Sequence, residues 1–431
     1  MTGTEAEVAI HGIASSGAGV GRLGEGPAIF VHRTAPGDRA RVRITQRKKR
    51  WARGELLEVQ SPGPGRRTAP CPHYDRCGGC TLEHLRYQDQ VAWKGRIVQE
   101  ALARIGDVEM EESPPVEASP SEFRYRSRVT FHLRRSGEGV EAGFFALDDP
   151  GTVVDMGGEC LLLDPVLARA WTGLRRVWGP GGQRLPAGSR LRLTLRRSGE
   201  GAILVVHGGS GVGDPETLVD QVEDLRGVWT ERAGEYRHLA GERKVWEEWF
   251  GKRYALGPGA FLQVNREAAE ALHTSVLRKV GPPRGLRVVD AYCGVGAYGR
   301  RLAHHGAKVV GIERDPDAAA GARDRAPDGF RVLNGAVEDH LESVLPAELV
   351  ILNPPRTGLS EKVVQALVRR RAGRVVYVSC DPATLARDVK RLGPGYRVRV
   401  DEVEAHDLFP QTAHVECVLV LDELEGGAPE A

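Results

Sequence analysis

From about residue 262 to the C-terminus, short apolar segments alternate with helix-like segments, and this alternation constrains the fold more than any other feature. Helices are expected between the apolar segments, for example at 297–304 and 361–371. Nearly continuous apolar strands that alternate with helices are typical of a doubly wound parallel sheet. Residues 261–431 are therefore predicted to form a Rossmann-like α/β domain. The apolar segments are LRVVDAY, AKVVGIE, FRVLNG, ELVILN, RVVYVS and VECVLVL.

The N-terminal region has a different pattern, in which apolar and polar residues alternate between turns that contain Gly and Pro. Such alternation predicts a small β-barrel over residues 1–62. Residues 1–70 contain 12 Lys and Arg against 6 Asp and Glu, whereas the remaining 361 residues contain 48 against 52. The basic run Arg47–Arg50 precedes Trp51, and Arg with an aromatic ring can bind phosphate and stack on a base. This module therefore favours a polyanion partner, with a solvated basic surface as the alternative.

A Pro- and Gly-rich linker at 61–70 separates the barrel from a predicted central α+β domain at 63–260. This domain begins with a cysteine-rich loop and a helix at about 87–106, and strands such as FRYRSRVTFHL and LRLTLRR follow. A chain of 431 residues is expected to contain two or three domains. No apolar run approaches the ~20 residues of a membrane span, and the first residues lack the features of a signal peptide. A cytoplasmic location without a membrane partner is expected.

Three of the seven cysteines, Cys71, Cys77 and Cys80, lie within ten residues in the segment CPHYDRCGGC. Three thiols in a flexible loop can converge on one point, and Cys160 is the candidate for a fourth ligand. Zinc and an iron–sulfur cluster both accept four thiolates. The spacing lacks the paired CxxC of a zinc ribbon, which favours iron–sulfur, while zinc bound by three cysteines and His73 stays open.

The segment VVDAYCGVGAYG places Gly294, Gly296 and Gly299 between a predicted strand and a helix. Glu313 follows Gly294 by 19 residues, at the end of the next strand, where a carboxylate can accept hydrogen bonds from ribose hydroxyls. Asp290 precedes the glycines and suits a cationic ligand better than a pyrophosphate. The pattern therefore favours S-adenosylmethionine over a nicotinamide dinucleotide.

Three further features follow the ends of predicted strands. Asn353 begins the sequence Asn-Pro-Pro-Arg, and Cys380 stands just before Pro382 at the start of a helix. We expect the positive helix terminus to lower the pKa of Cys380, which makes this cysteine a candidate nucleophile; the alternative is a small buried residue. Glu416 interrupts the apolar strand HVECVLVL, which indicates either a general base or an ion pair with an arginine.

These residues resemble the RNA 5-methyluridine methyltransferases, in particular the 23S rRNA uracil-C5-methyltransferases that carry a TRAM domain and an iron–sulfur cluster. The resemblance covers nearly the whole chain. The four cysteines match the cluster ligands of that family. The other matching segments are RKKRWARGEL, FRYRSRV, GAFLQVN, SCDPATLARD and FPQTAHVE.

The resemblance implies S-adenosylmethionine-dependent methylation of C5 of a uridine in structured RNA, either 23S rRNA or tRNA. It implies that Cys380 attacks C6 of a flipped-out uracil and that Glu416 removes the C5 proton. It also implies a TRAM-like RNA-binding barrel, a class I methyltransferase domain on which the helix at 87–106 packs, and no obligate protein partner. The implied ligands of a [4Fe–4S] cluster are Cys71, Cys77, Cys80 and Cys160, and the implied cofactor-binding residues are Gln263, Tyr292, Glu313 and Asn353.

The chain departs from the family pattern at Asn353, where Asp is usual, and at Ala297 and Ala336, near which Asn is usual. Two other classes of function are compatible with parts of the sequence. One is an RNA-binding protein that has lost activity on the same scaffold, and the other is a nicotinamide-dependent oxidoreductase suggested only by the glycine pattern.

Overall fold

A computed structural model describes residues 3–137, 139–157, 160–324 and 326–424. The helices predicted at 297–304 and 361–371 are confirmed. The helices are α1 (Tyr87–Gly106), α2 (Pro165–Val177), α3 (Pro215–Gln221), α4 (Arg266–Val280), α5 (Ala297–His304), α6 (Pro316–Arg323), α7 (Val337–Val344), α8 (Glu361–Arg370) and α9 (Pro382–Leu392).

The strands are β1 (Glu5–Ile13), β2 (Gly19–Arg22), β3 (Ala28–Val31), β4 (Arg39–Arg47), β5 (Trp51–Ser61), β6 (Val116–Glu117), β7 (Arg128–Ser136), β8 (Gly139–Phe145), β9 (Val153–Asp155), β10 (Arg190–Ser198), β11 (Gly201–His207), β12 (Leu225–Arg232), β13 (Glu235–Gly241), β14 (Val245–Trp249), β15 (Lys252–Leu256), β16 (Arg287–Ala291), β17 (Lys308–Glu313), β18 (Phe330–Asn334), β19 (Ala347–Leu352), β20 (Ala372–Ser379), β21 (Tyr396–Val398), β22 (Glu404–His406) and β23 (Glu416–Glu423).

The chain forms two compact units, and the first contains both the barrel and the central sheet. The three domains predicted from the sequence remain a proposal, because the barrel and the central region lie within one unit. No helix among the described residues has the length and apolar character needed to cross a membrane. The first unit comprises Met1–Gln90, Pro120–Arg266 and Pro410–Ala413, and the second comprises Val91–Ser119, Glu267–Phe409 and His414–Ala431.

Strands β1 to β5 close into a barrel in the order β1-β2-β3-β5-β4. Alternate residues of these strands, including Val8, Ile29 and Val42, point inward and form its apolar core. The basic run Arg47–Arg50 occupies the turn between β4 and β5 and is exposed. The predicted β-barrel is therefore confirmed, with its basic tip in solvent.

The central sheet of the first unit has seven strands in the order β13-β12-β11-β10-β7-β8-β9. One face carries residues such as Phe131, Leu193 and Leu204, which pack with Trp171 of α2 and Leu218 of α3 in one apolar core. The opposite face carries the polar residues of the same alternating strands.

The second unit contains a nine-stranded sheet ordered β18-β17-β16-β19-β20-β23-β22-β6, with β21 also paired to β23. Strands β16 to β20 are parallel to their neighbours, and β23 is antiparallel to β20. The Rossmann-like fold predicted for the C-terminal region is confirmed. Because β16, β17, β19 and β20 are parallel, the loops that follow them open at one edge of the sheet, where ligands of such folds bind.

Helix α1 is attached to the second unit by a buried ion pair. Lys94 Nζ lies 2.5 Å from Asp407 Oδ1, and neither side chain is exposed. The ammonium also donates a hydrogen bond to the carbonyl oxygen of Phe409 at 3.1 Å. Val98 and Leu102 of the same helix lie in the apolar core of this unit. The pair therefore fixes the segment that leads into β23.

We expect Lys94→Met to lower the free energy of unfolding by about 3–5 kcal/mol, because the Asp407 carboxylate then stays buried without its cation. Replacing both residues by apolar ones is expected to cost less than the single change. Lys390→Met is the matched control, because the Lys390–Asp107 pair is exposed and its loss should change stability by at most about 1 kcal/mol. Urea denaturation measures all three variants, and equal stability of Lys94→Met and Lys390→Met would contradict the account.

Candidate functional site

The loop after β16 adopts a left-handed backbone at three positions. The φ angles of Tyr292, Gly294 and Gly296 are 63°, 55° and 76°. A Cβ atom at Gly296 would lie 2.7 Å from the ring of Phe330, so only glycine lets the start of α5 pack this closely. A Cβ at Gly294 would meet no atom within 4 Å, which shows that this part of the loop faces open space.

Glu313 closes the glycine loop from the end of β17. Its Oε2 atom accepts a hydrogen bond from the Gly294 amide at 2.8 Å, and its Oε1 atom accepts one from the Asp315 amide at 2.7 Å. Each carboxylate oxygen retains a further acceptor site, so the group can still bind hydroxyls. This fixed carboxylate at the second strand end is the usual partner of a ribose.

Asp290 lies beneath the same loop and is fully buried. Its Oδ2 atom accepts a hydrogen bond from the Gly299 amide, whereas its Oδ1 atom and the Tyr292 hydroxyl have no partner among the described residues. Burial raises the pKa of Asp290 to about 7, and the Glu313 carboxylate adds to this shift. A cation bound next to Asp290 would favour the ionised form of this carboxyl group. The loop therefore fits the cationic, phosphate-free methyl donor that was expected from the sequence.

The Asn-Pro-Pro-Arg segment follows β19 at the same sheet edge. The amide of Asn353 donates to the Ala291 carbonyl oxygen at 3.4 Å, beside the glycine loop. Buried Asp388 of α9 fixes the far side of the segment, because its Oδ2 atom accepts hydrogen bonds from the Leu359 amide and the Tyr377 hydroxyl, both at 2.8 Å. Gly358 is required there, since a Cβ would lie 2.2 Å from the Asp388 Oδ2 atom.

Cys380 lies between β20 and α9. The side chain of Asp381 accepts a hydrogen bond from the Thr384 amide at 2.8 Å and caps the helix, and Pro382 occupies its first turn. The thiol therefore lies next to a helix N-terminus, as the sequence predicted.

The prediction that this helix terminus lowers the pKa of Cys380 is wrong. Burial raises the pKa of the thiol, and the nearby Glu416 carboxylate raises it further. The guanidinium of Arg356, which is hydrogen-bonded to the thiol, opposes both effects without cancelling them. Cys380 is therefore mainly a thiol near neutral pH.

Glu416 begins β23 and is 3% exposed. The antiparallel register pairs Ser379 with Cys417, so the next step of the ladder places Cys380 opposite Glu416. Cys417 points into the apolar core, and Cys293 is buried within the glycine loop. The described structure thus brings one half-buried thiol and one buried carboxylate together.

The cysteine loop is held against the central sheet and by an arginine of the barrel. The Gly78 amide donates to the Phe145 carbonyl oxygen at 2.9 Å. The Arg33 guanidinium donates to the carbonyl oxygens of Tyr74, Cys77 and Cys80 at 2.5–2.8 Å. It also lies 3.6 Å from the centre of the Tyr74 ring. One side chain therefore fixes the path of most of the loop.

The four cysteines are reduced, with Cys77 and Cys160 buried and Cys71 and Cys80 half-buried. Burial is the largest cause of the raised pKa of each thiol, and each thiol is also influenced by the charge of at least one of the other three. The positive charge of the half-buried Arg126 opposes this rise in the pKa values of Cys80 and Cys160.

These groups suit thiolate ligation in three respects. The donor set consists of four thiols, and the pKa of each depends on the charge of at least one of the others. The Gly79 amide donates a hydrogen bond to the Cys77 sulfur at 3.3 Å. The Nε atom of Arg126 has no partner in the described part of the chain, and its positive charge complements thiolates. No group of three or more His, Cys, Asp or Glu among the described residues is arranged to hold a single metal ion.

Gln263 lies in the first unit, in the half-buried loop between β15 and α4. The other three residues expected to bind the cofactor, Tyr292, Glu313 and Asn353, lie at one sheet edge of the second unit.

Three arginines of these sites were not identified from the sequence. Arg356 directly follows the two prolines of its motif, and Arg126 lies within FRYRSRV, so both had a local signal. Arg33 had none, because it binds residues that are 41–47 positions away in the chain.

Comparison with known proteins agrees with this architecture. Residues 1–57 match the TRAM domain, and residues 328–424 match the tRNA (Uracil-5-)-methyltransferase family. An RNA methyltransferase of Gloeobacter violaceus is 35% identical over 446 residues, which cover 98% of this chain and 97% of the relative. One of Thermosynechococcus vestitus is 34% identical over 97% of this chain and 98% of the relative.

Among solved structures, the tRNA (uracil-54, C5)-methyltransferase of Pyrococcus abyssi, in complex with S-adenosyl-L-homocysteine, superimposes with a TM-score of 0.74. It is 27% identical and covers 96% of this chain and 100% of its own. The fold and the sequence together define an RNA methyltransferase. The chain belongs to the RNA methyltransferases, and it matches both the TRAM domain and the tRNA (Uracil-5-)-methyltransferase family.

The two charged neighbours of Cys380 should shift its reactivity in opposite directions. We expect Arg356→Gln to raise the pKa of the thiol and Glu416→Gln to lower it, because each removes the charge that opposes or adds to the upward shift. Alkylation by iodoacetamide as a function of pH, followed by mass spectrometry of the Cys380 peptide, measures both shifts. Arg369→Gln, which removes an exposed arginine paired with Glu342, is the control and should leave the profile unchanged. Shifts of the same sign in both variants would contradict this electrostatic account.

Proposed function

We propose that this protein transfers a methyl group from S-adenosylmethionine to C5 of a uridine in structured RNA. The observation that carries the proposal is the pairing of a half-buried thiol, Cys380, with a buried carboxylate, Glu416, beside a loop that fits a cationic ligand. Family membership supports the RNA substrate and the uracil ring. The relative from P. abyssi, crystallised with S-adenosyl-L-homocysteine, supports the methyl donor.

The cofactor is proposed to bind between the glycine loop and the Asn-Pro-Pro-Arg segment. Glu313 would accept hydrogen bonds from the ribose hydroxyls, and Tyr292 and Asn353 would contact the remainder of the molecule. Gln263 is proposed as a further contact on the strength of its match to the family. When bound, S-adenosylmethionine supplies an electrophilic methyl group on a positively charged sulfur.

The protein side chains supply the covalent chemistry. C5 of uracil is a weak nucleophile. Half-buried Cys380 first loses its thiol proton to solvent, and attack by the resulting thiolate at C6 forms an S–C6 bond and moves the ring electrons toward C5 and O4. After methylation, C5 carries both the methyl group and its original hydrogen. Glu416 takes that proton as a general base, the electrons reform the C5–C6 double bond, and the S–C6 bond breaks. Arg356, hydrogen-bonded to the thiol, favours its ionised form.

The target uracil must leave its base stack to reach the Cys380 thiol. This requirement favours an unpaired or distorted segment of RNA over a regular duplex. The exposed basic turn of the barrel, Arg47–Arg50, is proposed to bind phosphates of the same RNA. Both 23S rRNA and tRNA offer such sites, so both are substrates to be tested. No obligate protein partner is proposed.

We further propose that Cys71, Cys77, Cys80 and Cys160 hold a [4Fe–4S] cluster. The mutual influence of the four thiols, the amide that donates to the Cys77 sulfur, and the nearby Arg126 support thiolate ligation at this position. The cysteine spacing, which lacks the paired CxxC of a zinc ribbon, favours iron–sulfur over zinc. A bound cluster would cross-link the cysteine loop to the segment around Cys160 and offers one-electron redox chemistry. Arg33 would then connect the barrel to that cross-link.

The methylation proposal is tested with unmodified 23S rRNA and tRNA transcripts and S-adenosylmethionine labelled in its methyl group. Label is expected in 5-methyluridine after digestion to nucleosides. Cys380→Ala should reduce turnover to background, because the variant lacks the nucleophile of the proposed addition to C6. Glu416→Gln should slow turnover by about 10²–10⁴-fold and accumulate a denaturant-resistant protein–RNA adduct, because the C5 proton is retained.

Cys417→Ala is the matched control, since this cysteine points into the apolar core and should not be needed for turnover. The mechanism is wrong if Cys380→Ala keeps the activity of the wild type, or if label appears only in nucleosides other than 5-methyluridine.

The cluster proposal is tested on protein purified without oxygen. We expect a broad visible absorbance band, with iron and acid-labile sulfide in equal amounts, and we expect Cys77→Ala to lose both. The Cys417→Ala protein should retain them. A colourless wild-type protein that contains zinc would instead support the zinc alternative.

A further inference from the structure

The outward face of the central sheet, opposite α2 and α3, contains a groove of about 730 Å³. This volume falls within the roughly 300–1,000 Å³ range of ligand-binding pockets. We call this groove on the central sheet the outer groove. It lies entirely within the first unit and is lined by residues of β7 to β12 and by the segments that follow β8, β11 and β12. Its charged and aromatic lining residues are His132, Arg134, Phe145, Arg190, Arg192, His207, Glu231 and Arg232.

The strand register concentrates positive charge at this groove. Arg190 of β10 lies directly opposite Arg134 of β7, and Arg192 lies opposite His132. Like charges in directly opposite positions destabilise a sheet. Arg134 also lies opposite Glu141 of β8 and donates a hydrogen bond to the Gly151 carbonyl oxygen at 2.8 Å, which offsets part of this repulsion. Neither Arg134 nor Arg190 forms an ion pair with a carboxylate among the described residues.

Among the described residues that line the groove, Glu231 is the one acidic residue, and it already has partners. Glu231 Oε2 lies 2.8 Å from His207 Nδ1, and its Oε1 atom accepts a hydrogen bond from the Gly234 amide at 2.7 Å. His207 Nε2 lies 2.9 Å from the hydroxyl oxygen of Thr194. Glu231 approaches Arg192 only to 3.9 Å, which leaves the groove with a net positive charge.

An aromatic pair lies beside these arginines. The rings of His132 and Phe145 are stacked with their centres 4.0 Å apart, and Phe145 is 37% exposed. Burial, together with the nearby Arg192, lowers the pKa of His132, so its ring is neutral near pH 7. A neutral, partly exposed stack next to the guanidinium groups of Arg134 and Arg190 has the components of a single-stranded nucleic-acid site, in which bases stack on rings and phosphates bind cations.

We propose that the outer groove binds a single-stranded segment of the RNA substrate, with phosphates held by Arg134 and Arg190 and a base stacked on the His132–Phe145 pair. This inference rests on the proposed function, because it assigns part of the recognition of that RNA. A phosphate bound between Arg134 and Arg190 would reduce the repulsion between these two opposed arginines.

The proposal is tested with the full-length protein and a fluorescein-labelled oligouridine, whose binding is followed by fluorescence anisotropy over a range of salt concentrations. The Arg134→Gln/Arg190→Gln double variant should bind more weakly, and the slope of log Kd against log salt should fall by about 1.4, or about 0.7 for each lost phosphate contact. Phe145→Ala should weaken binding about fivefold or more without changing the slope.

Two controls separate binding from folding. Arg176→Gln removes an exposed arginine of α2, on the covered side of the sheet, and should leave both affinity and slope unchanged. Arg190→Gln alone should bind RNA more weakly yet melt at the same or a higher temperature, because the repulsion with Arg134 is removed. A structural role for Arg190 would instead lower the melting temperature.

Methylation of rRNA and tRNA transcripts by the wild type distinguishes the two proposals. If the wild type methylates RNA but binds no oligouridine, or if the groove variants bind as the wild type does, the outer-groove proposal is overturned and the proposed function stands. If the wild type binds oligouridine and the groove variants weaken that binding while no transcript is methylated, the groove stands and the proposed function fails. Absence of both binding and methylation overturns both.

Discussion

The hydrogen-bonded pairing of β20 with β23 is the constraint on which the proposed chemistry depends. Cys380 and Glu416 are 36 positions apart in the chain, and the antiparallel register brings them to adjacent places at one edge of the sheet. The parallel strands before them deliver the glycine loop, Glu313 and Asn353 to that same edge. A shift of this register by one residue would turn Glu416 to the other face of the sheet and separate it from the thiol. The ion pair between Lys94 and Asp407 strengthens the segment that leads into β23.

Within this frame, the reactivity of Cys380 depends on a balance of charges. Burial and the Glu416 carboxylate favour the neutral thiol, and Arg356 favours the thiolate. A nucleophile held mainly as a thiol is protected from unwanted oxidation, since oxidation follows thiolate character. Asp388 has a supporting role, because it anchors both α9 and the segment that carries Arg356. The base and the nucleophile thus influence each other before any substrate binds.

The elements with strong periodicity could be predicted from the sequence. The apolar strands of the second unit, helices such as α8 and the alternating strands of the barrel each depend on local pattern, and all lie where that pattern placed them. The same holds for Cys380 at the start of α9, because Asp381 and Pro382 are local signals for a helix N-terminus.

The pKa of Cys380 could not be predicted in this way. It depends on burial and on Glu416 and Arg356, which only the folded chain brings to the thiol. Arg33 was missed for the same reason, since its three acceptors lie on a distant loop, and the pairing of the short strand β6 with β22 had no sequence signal.

The most direct test of the central claim uses RNA in which the target uridine is replaced by 5-fluorouridine. Fluorine at C5 cannot leave as a proton does, so a mechanism that proceeds through a bond between Cys380 and C6 should stop at that stage. The protein is incubated with this RNA and S-adenosylmethionine, digested, and analysed by mass spectrometry. The account predicts that the Cys380 peptide carries a methylated fluorouridine nucleotide. Attachment at a different residue would contradict it, as would the absence of any adduct from a protein that methylates the uridine-containing RNA.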